Sequence, residues 1–502
     1  MRARRGGASL ALLALLALAP SRAVGAPAAA AVWGPVVHVP SPAGRSATRG
    51  GIAVDRENRV HVVFSVSDQA AWRRYKQEGL SHRPSYETMG YAFFDGTQWL
   101  DRSPVAPQQR RVLRGALAVD DDDLLHVLFT YAPGFYDDLF YRHAPASEGL
   151  RLGGWQGTQP VNLRGSSAMG DIAVYDRAVF LVFDDAGSLE AECKGCGDIF
   201  FRRSLDGGVS WEDPLDLKES PIGSSRPRII ADRAGVLFVT WDEGWNAQSV
   251  SGAPQYGIFM SSADQVRHWS QPLRITQSPQ DDNVQLSVAS DSRGGVLLVW
   301  RTAFSADPAV YFQWSIDWGE TWTAPGRVPN LIPPPWDAPF DVYSIATDSA
   351  GRFHLLAVGV NRERSASGRA LFHLTWDGEA WTSPIAVYDA DGFPEFPQLV
   401  VGKQNDLHAS WSVVFRGDGE RSSTLLYAHA KLADSNSMAR SATLRRQIDD
   451  YVPLAIPART ATTYNVSDVF DWSVFGRAAA SLLAGGLIVA AVDGVRRLWS
   501  DG

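Results

Sequence analysis

The chain has 502 residues, of which 45% are hydrophobic and 20% are charged. This composition is too rich in apolar residues for a disordered protein and indicates a large folded core. The net charge of −8 excludes a broadly basic surface, and the sequence shows no local basic patch, so we expect no nucleic-acid partner.

The N-terminal segment predicts export. Basic residues among the first five positions precede an apolar run at 8–20, and small residues at Val24 and Ala26 suit cleavage by signal peptidase. We therefore expect residues 1–26 to be a signal peptide, with the folded domain that follows on the extracytoplasmic side of a bacterial membrane.

A tryptophan then recurs at intervals of 53 to 66 residues, about the length of one propeller blade. The recurring residues are Trp33, Trp99, Trp155, Trp211, Trp269, Trp322 and Trp381. Upstream of each tryptophan after Trp33, and once more after Trp381, lies an apolar strand, a polar turn and a second apolar strand, as in 51–55 followed by 60–64. The residues that end the first strands are Asp55, Asp120, Tyr175, Asp232, Asp291, Asp348 and Lys403. Each unit therefore predicts a sheet of four short strands.

The first tryptophan has no strand pair before it, and the seventh strand pair has no tryptophan after it. Trp33 must then complete the seventh unit as an N-terminal strand, which removes the open edge of the last sheet. We predict an all-β, seven-bladed β-propeller over residues 33–432. Two stacked sandwiches are the alternative, but they give no reason for one tryptophan period.

Two units carry the pattern Ser-x-Asp-x-Gly-x-x-Trp between their third and fourth strands. Its residues are Ser204, Asp206, Gly208 and Trp211 in one unit and Ser315, Asp317, Gly319 and Trp322 in the other. The pattern resembles the Asp-box, or BNR repeat, of the sialidase-like β-propeller superfamily. We expect a hairpin in which the aspartate caps backbone donors, the glycine takes positive φ and the tryptophan fills the space between blades.

Arginines mark a candidate ligand site at the axial mouth, where first strands begin and second strands end. Arg49, Arg114 and Arg226 each lie six positions before the end of a first strand, which predicts equal height around the mouth. Their forked donors suit a carboxylate. Solvent-exposed loop charge, or ion pairs with Asp184 and Asp242, is the structural alternative.

Other polar residues follow the second strands at the same mouth, namely Tyr131, Asp184, Asp242 and Arg301. A carboxylic acid can protonate a leaving oxygen while a second group acts on the sugar. The resemblance to sialidases implies this chemistry, with clustered arginines holding the carboxylate of sialic acid. Asp184, Asp242 and Tyr131 are therefore the candidate catalytic residues, and Arg49, Arg114, Arg226 and Arg301 the candidate ligand-binding residues.

Aromatic residues in the loops suit sugar rings or peptide side chains, with loop packing as the alternative. They are Trp72, Phe135, Tyr136, Trp245 and Trp336.

Cys193 and Cys196 predict a small disulfide in an exported chain. The acidic run at 120–123 fits a solvated hairpin turn better than a calcium loop, and no histidine spacing suits a metal, so we expect no metal or cofactor.

The C-terminal part predicts a tether and an anchor. Residues 433–473 lack periodicity and favour a linker. Residues 478–492 form an uncharged apolar run, which extends to 474–495 if Arg477 and Asp493 snorkel, and Arg496 and Arg497 follow it. Positive charge after the run predicts a transmembrane helix with a cytoplasmic tail. A buried helix or a removable sorting tail is the alternative.

Three functions fit these features. The first is a membrane-tethered extracytoplasmic propeller that binds a glycan, an anionic ligand or a protein partner at its mouth. The second is a glycoside hydrolase of the exo-sialidase type. The third is a scaffold for the assembly of membrane complexes.

Overall fold

The computed structural model describes residues 31–78, 87–102, 104–106, 112–131, 138–151, 153–162, 167, 169–185, 197–244, 255–265, 268–275, 282–303, 305–335, 341–360, 368–402, 405–417 and 420–432. These residues form seven antiparallel sheets arranged as the blades of a propeller. The predicted all-β, seven-bladed fold is thus confirmed. The predicted signal peptide (1–26), tether (433–473) and anchor (474–495) lie outside the described residues. So do the following predicted residues: Cys193, Cys196, Trp245, Phe135, Tyr136 and Trp336. Within the described residues, no helix is both long enough and apolar enough to cross a membrane.

The strands follow the chain in order around the ring. Two short strands come first, β1 (Val32–Trp33) and β2 (Val37–His38). Blade 1 contains β3 (Arg45–Val54), β4 (Val60–Asp68), α1 (Gln69–Glu78), β5 (Glu87–Phe94) and β6 (Trp99–Arg102). Blade 2 contains β7 (Val112–Val119), β8 (Leu124–Tyr131), β9 (Asp138–Pro145) and β10 (Gln156–Pro160). Blade 3 contains β11 (Gly170–Tyr175), β12 (Ala178–Asp185), β13 (Asp198–Ser204) and β14 (Leu215–Lys218).

The remaining four blades continue the same pattern. Blade 4 contains β15 (Ser224–Ala231), β16 (Leu237–Glu243), β17 (Tyr256–Ser262) and β18 (Leu273–Ile275). Blade 5 contains β19 (Asp282–Ser290), β20 (Val296–Ala303), β21 (Val310–Ser315) and β22 (Gly326–Arg327). Blade 6 contains β23 (Tyr343–Thr347), β24 (Phe353–Val360), β25 (Arg369–Trp376) and β26 (Ile385–Tyr388). Blade 7 contains β27 (Phe393–Val401), β28 (Leu407–Gly417) and β29 (Glu420–Lys431).

The ring is closed by the first strand of the chain. Val32 and Trp33 of β1 pair with Lys431 and Ala430 of β29, so β1 is the outer strand of blade 7. On the inner side, β27 contacts β3, as each first strand contacts the first strand of the next blade. The predicted N-terminal closure is therefore present, and the outer edge of β29 is covered.

The seven tryptophans lie between blades, as their spacing predicts. Each packs edge-on against a ring from the third strand of the preceding blade. The pairs are Trp33–His373, Trp99–Tyr427, Trp155–Tyr91, Trp211–Tyr141, Trp269–Phe201, Trp322–Phe259 and Trp381–Phe312, with centroids 4.9–5.5 Å apart and ring planes 70–81° apart. Edge-to-face packing at this distance is a favourable aromatic geometry. One repeated contact thus joins every blade to its neighbour.

The two Ser-x-Asp-x-Gly-x-x-Trp segments form hairpins with the expected contacts. Asp206 accepts hydrogen bonds from the backbone N–H groups of Val209 at 3.1 Å and Ser210 at 2.8 Å. Gly208 has a φ of 88° and donates its N–H to the Ser204 hydroxyl at 2.8 Å. Asp317, Gly319 and Ser315 make the corresponding bonds in blade 5. Capping and positive φ therefore explain why these residue types recur at this spacing.

The aspartates that end the first strands close the next turn. Asp55 accepts the N–H groups of Glu57 and Arg59, both at 2.9 Å, and its own N–H bonds to the Arg59 carbonyl at 3.1 Å. In blade 7 the residue with this backbone bond is Gly402, whose N–H donates to the Asp406 carbonyl at 2.8 Å. The sequence alignment at Lys403 is therefore wrong by one residue, because a glycine replaces the capping aspartate there.

Helix α1 is an element that the sequence analysis did not predict. It follows β4 on the mouth side of blade 1, where we expected an aromatic loop, and it includes Trp72. Asp68 caps it by accepting the N–H of Ala71 at 2.9 Å.

Candidate functional site

Four charged side chains meet at the propeller axis, and we call them the axial ion cluster. Arg114 in β7, Asp171 in β11 and Arg228 in β15 belong to consecutive blades, whereas Asp341 precedes β23 in blade 6. One oxygen of Asp341, Oδ2, accepts hydrogen bonds from Nη2 of Arg114 and from Nη2 of Arg228. Nη1 of Arg228 also lies 3.9 Å from Oδ2 of Asp171. The cluster therefore spans the axis between non-adjacent blades.

The cluster is shielded but keeps contact with solvent. Exposed fractions of the side chains are 14% for Arg114, 10% for Asp341, and 19% for both Arg228 and Asp171. Charges in such a position attract each other more strongly than fully exposed charges because less water screens them. The two guanidinium groups thus form charge-assisted hydrogen bonds with a carboxylate of the protein itself.

Asp171 is an acid of the cluster with a raised pKa. Burial raises the pKa of Asp171 to about 6, against the opposing effects of the Arg114 charge and of the Ile229 N–H, which donates to Oδ2 at 3.2 Å. The nearby charge of Asp341 raises this pKa further. The cluster therefore changes its net charge in mildly acidic solution.

β-bulges next to the mouth position the two arginines. The pairing register shifts between Val112 and Gly115 in blade 2, and between Ser225 and Arg228 in blade 4. Arg114 lies within the first bulge, and Arg228 is the first residue paired after the second. An extra residue in a strand redirects the neighbouring side chains, so the bulges set where these guanidinium groups point.

The three arginines of equal offset differ in the contacts described for them. Arg114 bonds to Asp341, whereas the Arg49 guanidinium lies 5.6 Å from the centroid of the Phe396 ring. Arg226 is 3% exposed and lies 3.2 Å from Asp242. Of the three, only Arg114 belongs to the axial ion cluster, and the position of Arg226 matches the ion-pair alternative.

Asp242 connects two blades. Its Oδ2 accepts the N–H of Gln285 at 2.8 Å and its Oδ1 accepts the N–H of Leu286 at 3.1 Å, both in the bulge of blade 5. Burial raises the pKa of Asp242, and the charge of Arg226 opposes this shift. The geometry gives this carboxylate a structural role whatever its role toward a ligand.

The other candidate residues lie at the ends of second strands. Asp184 is buried and its Oδ1 accepts the N–H of Met169 at 2.9 Å. Arg301 is fully buried and donates from Nη1 to the Pro334 carbonyl at 3.0 Å. Tyr131 is the last residue of β8 and lies opposite Val112. These positions agree with the predicted rim of the mouth, while a shared ligand contact stays a prediction.

Asp171, Arg228 and Asp341 are the residues that sequence reasoning missed. The sequence did contain a pattern that could have pointed to the first two. Asp171 and Arg228 occupy equivalent positions in the first strands of adjacent blades, the position that Gly51 has in blade 1. Opposite charges at one aligned position of adjacent blades predict an ion pair near the axis. No repeated sequence pattern marks Asp341 as a residue of the site. It lies before the start of β23, and the described pairs of β23 contain no bulge.

Comparisons with known proteins show no family for this chain. No protein-family model matches the chain, and no curated protein matches it. A protein of unknown function from Dyadobacter fermentans is similar in structure, with 14% identity, a TM-score of 0.49, and coverage of 81% of this chain and 100% of that one. The NanB sialidase of Streptococcus pneumoniae has 11% identity and a TM-score of 0.45, with coverage of 80% and 70%. The Trypanosoma rangeli sialidase in complex with sialic acid has 11% identity and a TM-score of 0.44, and the chain spans 55% of its length.

Proposed function

We propose that this protein is an extracytoplasmic recognition propeller that binds a carboxylate-bearing ligand, such as an acidic glycan, at its axial mouth. One observation carries the proposal. Guanidinium groups from two non-adjacent blades, those of Arg114 and Arg228, converge on a single carboxylate oxygen at the axis. A planar guanidinium is suited to carboxylate recognition because its donors match the two carboxylate oxygens.

The surroundings of the cluster support binding better than a purely structural role. A structural ion pair is typically formed within one blade or between neighbours, as Arg226 and Asp242 show in β15 and β16. The contacts of Asp341 instead cross the axis, and its Arg114 and Arg228 partners keep 14% and 19% of their side chains exposed. A partly solvated position where a few polar groups converge is compatible with a ligand site.

We further propose that the propeller belongs to the Asp-box type and is held at a membrane. The hairpins at 204–211 and 315–322 support the first point through their capping bonds and their glycines at positive φ. The apolar runs at 8–20 and 474–495 in the sequence support the second. A protease-protection assay on intact cells tests the topology, with the propeller degraded only when protease reaches the outer face of the membrane.

A sialidase-type hydrolase is the second candidate function. It is favoured by Asp171, whose pKa of about 6 allows a carboxylic acid to persist beside the two arginines. A protonated acid close to a bound sugar carboxylate can supply a proton to a leaving oxygen. Asp184, Asp242 and Tyr131 stay the catalytic candidates that the sequence offers for this reaction.

Saturation-transfer NMR of the full chain with sialyllactose tests both functions together. Binding appears as saturation transferred to the sugar protons, and hydrolysis appears as new signals of free sialic acid. We expect Arg114→Gln to weaken binding about tenfold or more, because it removes a charge-assisted hydrogen bond. Arg56→Gln is the matched control, because Arg56 forms an exposed pair with Asp123 at the end of the blade away from the mouth. Equal binding by both variants, or no binding by the wild type, would contradict the proposal.

A further inference from the structure

Asp341 occupies the position that a ligand carboxylate would take. Its Oδ2 atom accepts from both Arg114 and Arg228, although these arginines belong to blades 2 and 4 and Asp341 belongs to blade 6. In a ring of seven blades, blade 6 is two blades from blade 4 and three from blade 2. The contact is therefore made across the axis and not along the ring.

The two arginines and the carboxylate lie at different places relative to the paired strands. Arg228 pairs with Thr240 in β16, and Gly115, the residue after Arg114, pairs with Phe129 in β8. Asp341 instead lies before the first pair of β23, which joins Tyr343 to Ala357. Its carbonyl accepts the N–H of Phe396 from blade 7 at 3.2 Å. The two donors therefore lie within strands β7 and β15, whereas the acceptor lies just before the start of β23.

The charges in the cluster require a carboxylate at this point. Asp171 lies 3.9 Å from Arg228, and with Asp341 it can balance the two guanidinium charges. Without Asp341, two like charges would face each other with one compensating acid. An anion from solution restores that balance by taking the same hydrogen bonds.

We propose that Asp341 is an internal carboxylate ligand of the Arg114–Arg228 pair, and that an external carboxylate binds by replacing it. This inference rests on the proposed function, because it describes how the same site is kept filled. A tethered carboxylate has a high effective concentration, so it competes with any ligand and lowers the apparent affinity. The site would thus select ligands whose other groups add enough binding energy to displace Asp341.

Chemical rescue by acetate tests the internal ligand without knowledge of the natural one. Asp341→Ala removes the carboxylate and leaves space for an acetate ion between the arginines. We expect sodium acetate to raise the melting temperature of the full-length Asp341→Ala protein more than sodium chloride does at equal ionic strength. We expect no such difference for the wild type or for Asp307→Ala, which removes the acid of an exposed pair with Arg327. The double variant Asp341→Ala, Arg114→Gln should lose the acetate effect.

Calorimetry with sialic acid tests replacement by an external carboxylate. Asp341→Asn keeps the shape of the side chain and removes its charge, and it serves as the second variant if Asp341→Ala does not fold. We expect this variant to bind sialic acid at least tenfold more tightly than the wild type. The uncharged methyl ester of sialic acid should show no gain.

The two experiments separate the possible failures. An acetate effect without sialic acid binding to any variant supports the internal ligand and overturns sialic acid as the ligand class. Sialic acid binding that is equal in the wild type and Asp341→Asn, with no acetate effect on Asp341→Ala, overturns the internal ligand and leaves the proposed function standing. No acetate effect on Asp341→Ala together with no sialic acid binding by any variant overturns both.

Discussion

The carboxylate of Asp242 in blade 4 accepts the backbone N–H of Gln285 in blade 5 at 2.8 Å, while it also pairs with Arg226 in its own blade at 3.2 Å. Removing one partner of a buried ion pair costs about 3–5 kcal/mol. We expect Asp242→Asn to lower the free energy of unfolding by about 3 kcal/mol in urea titrations. Asp307→Asn, which alters an exposed pair, should change it by less than about 1 kcal/mol. Unchanged stability together with lost activity would instead indicate that Asp242 acts on a ligand.

A second prediction concerns Gly208 and its neighbour Gly207. Both have positive φ, 88° and 73°, but a Cβ on Gly208 would overlap the Tyr141 ring, whereas one on Gly207 would meet only Leu124, at 3.7 Å. We expect Gly207→Ala to cost about 1 kcal/mol from backbone strain. Gly208→Ala should cost several times more in the same thermal or urea unfolding assay. Equal costs would show that the blade contact at Tyr141 adjusts freely.

The tryptophan contacts between blades give a third prediction. Trp322 is 7% exposed, packs edge-on against Phe259 at 5.1 Å and donates its indole N–H to the Gly319 carbonyl at 2.9 Å. We expect Trp322→Ala to lower the free energy of unfolding by about 3–5 kcal/mol, as for other buried aromatic truncations. Trp318→Ala is the control, because Trp318 in the same hairpin is 41% exposed. If both variants unfold alike, the interblade contact contributes no more than surface packing.

The pH dependence of stability tests the environment of Asp171. Its pKa is about 6 in the folded protein and 3.8 ordinarily, so the folded state keeps a proton that the unfolded chain releases between these values. The stabilisation from this proton is complete below about pH 4 and is lost as the pH rises through 6, a change of about 3 kcal/mol for a shift of this size. Asp171→Asn removes the titrating group. The stability of the wild type relative to this variant should therefore fall from pH 4 to pH 7, and a constant difference would contradict the shifted pKa.

Much of the fold is predictable because one physical contact repeats in every blade. Trp33 and Trp381 are far apart in sequence, yet each follows the same packing rule against a ring of the preceding blade. The tryptophan repeat in the sequence therefore predicts both the seven-bladed ring and its closure by the N-terminal strand. Helix α1 was missed because it lies in one blade only and belongs to no repeat, although Asp68 supplied a capping signal.

The sequence predicts how close to the mouth the candidate arginines lie, but not where their side chains point. Equal offsets placed Arg49 and Arg226 near the mouth, but these residues have φ values of 57° and 55° within bulges. A residue in this conformation points its side chain away from the direction that regular strand alternation gives. The spacing of residues in the sequence gives their distance from the strand end but does not show a β-bulge. For this reason the sequence pointed to Arg226, whereas the structure brings Arg228 to the axis.

The pairing of Val32 with Lys431 has a consequence for the synthesis of the protein. The strand that completes blade 7 leaves the ribosome first, but its partner is made about 400 residues later. Trp33 has no His373 ring to pack against until blade 6 is made, and β1 has no strand to pair with until β29 follows. Contacts of such long sequence separation form slowly, so we expect the pairing of the first and last strands of the propeller to complete late in folding.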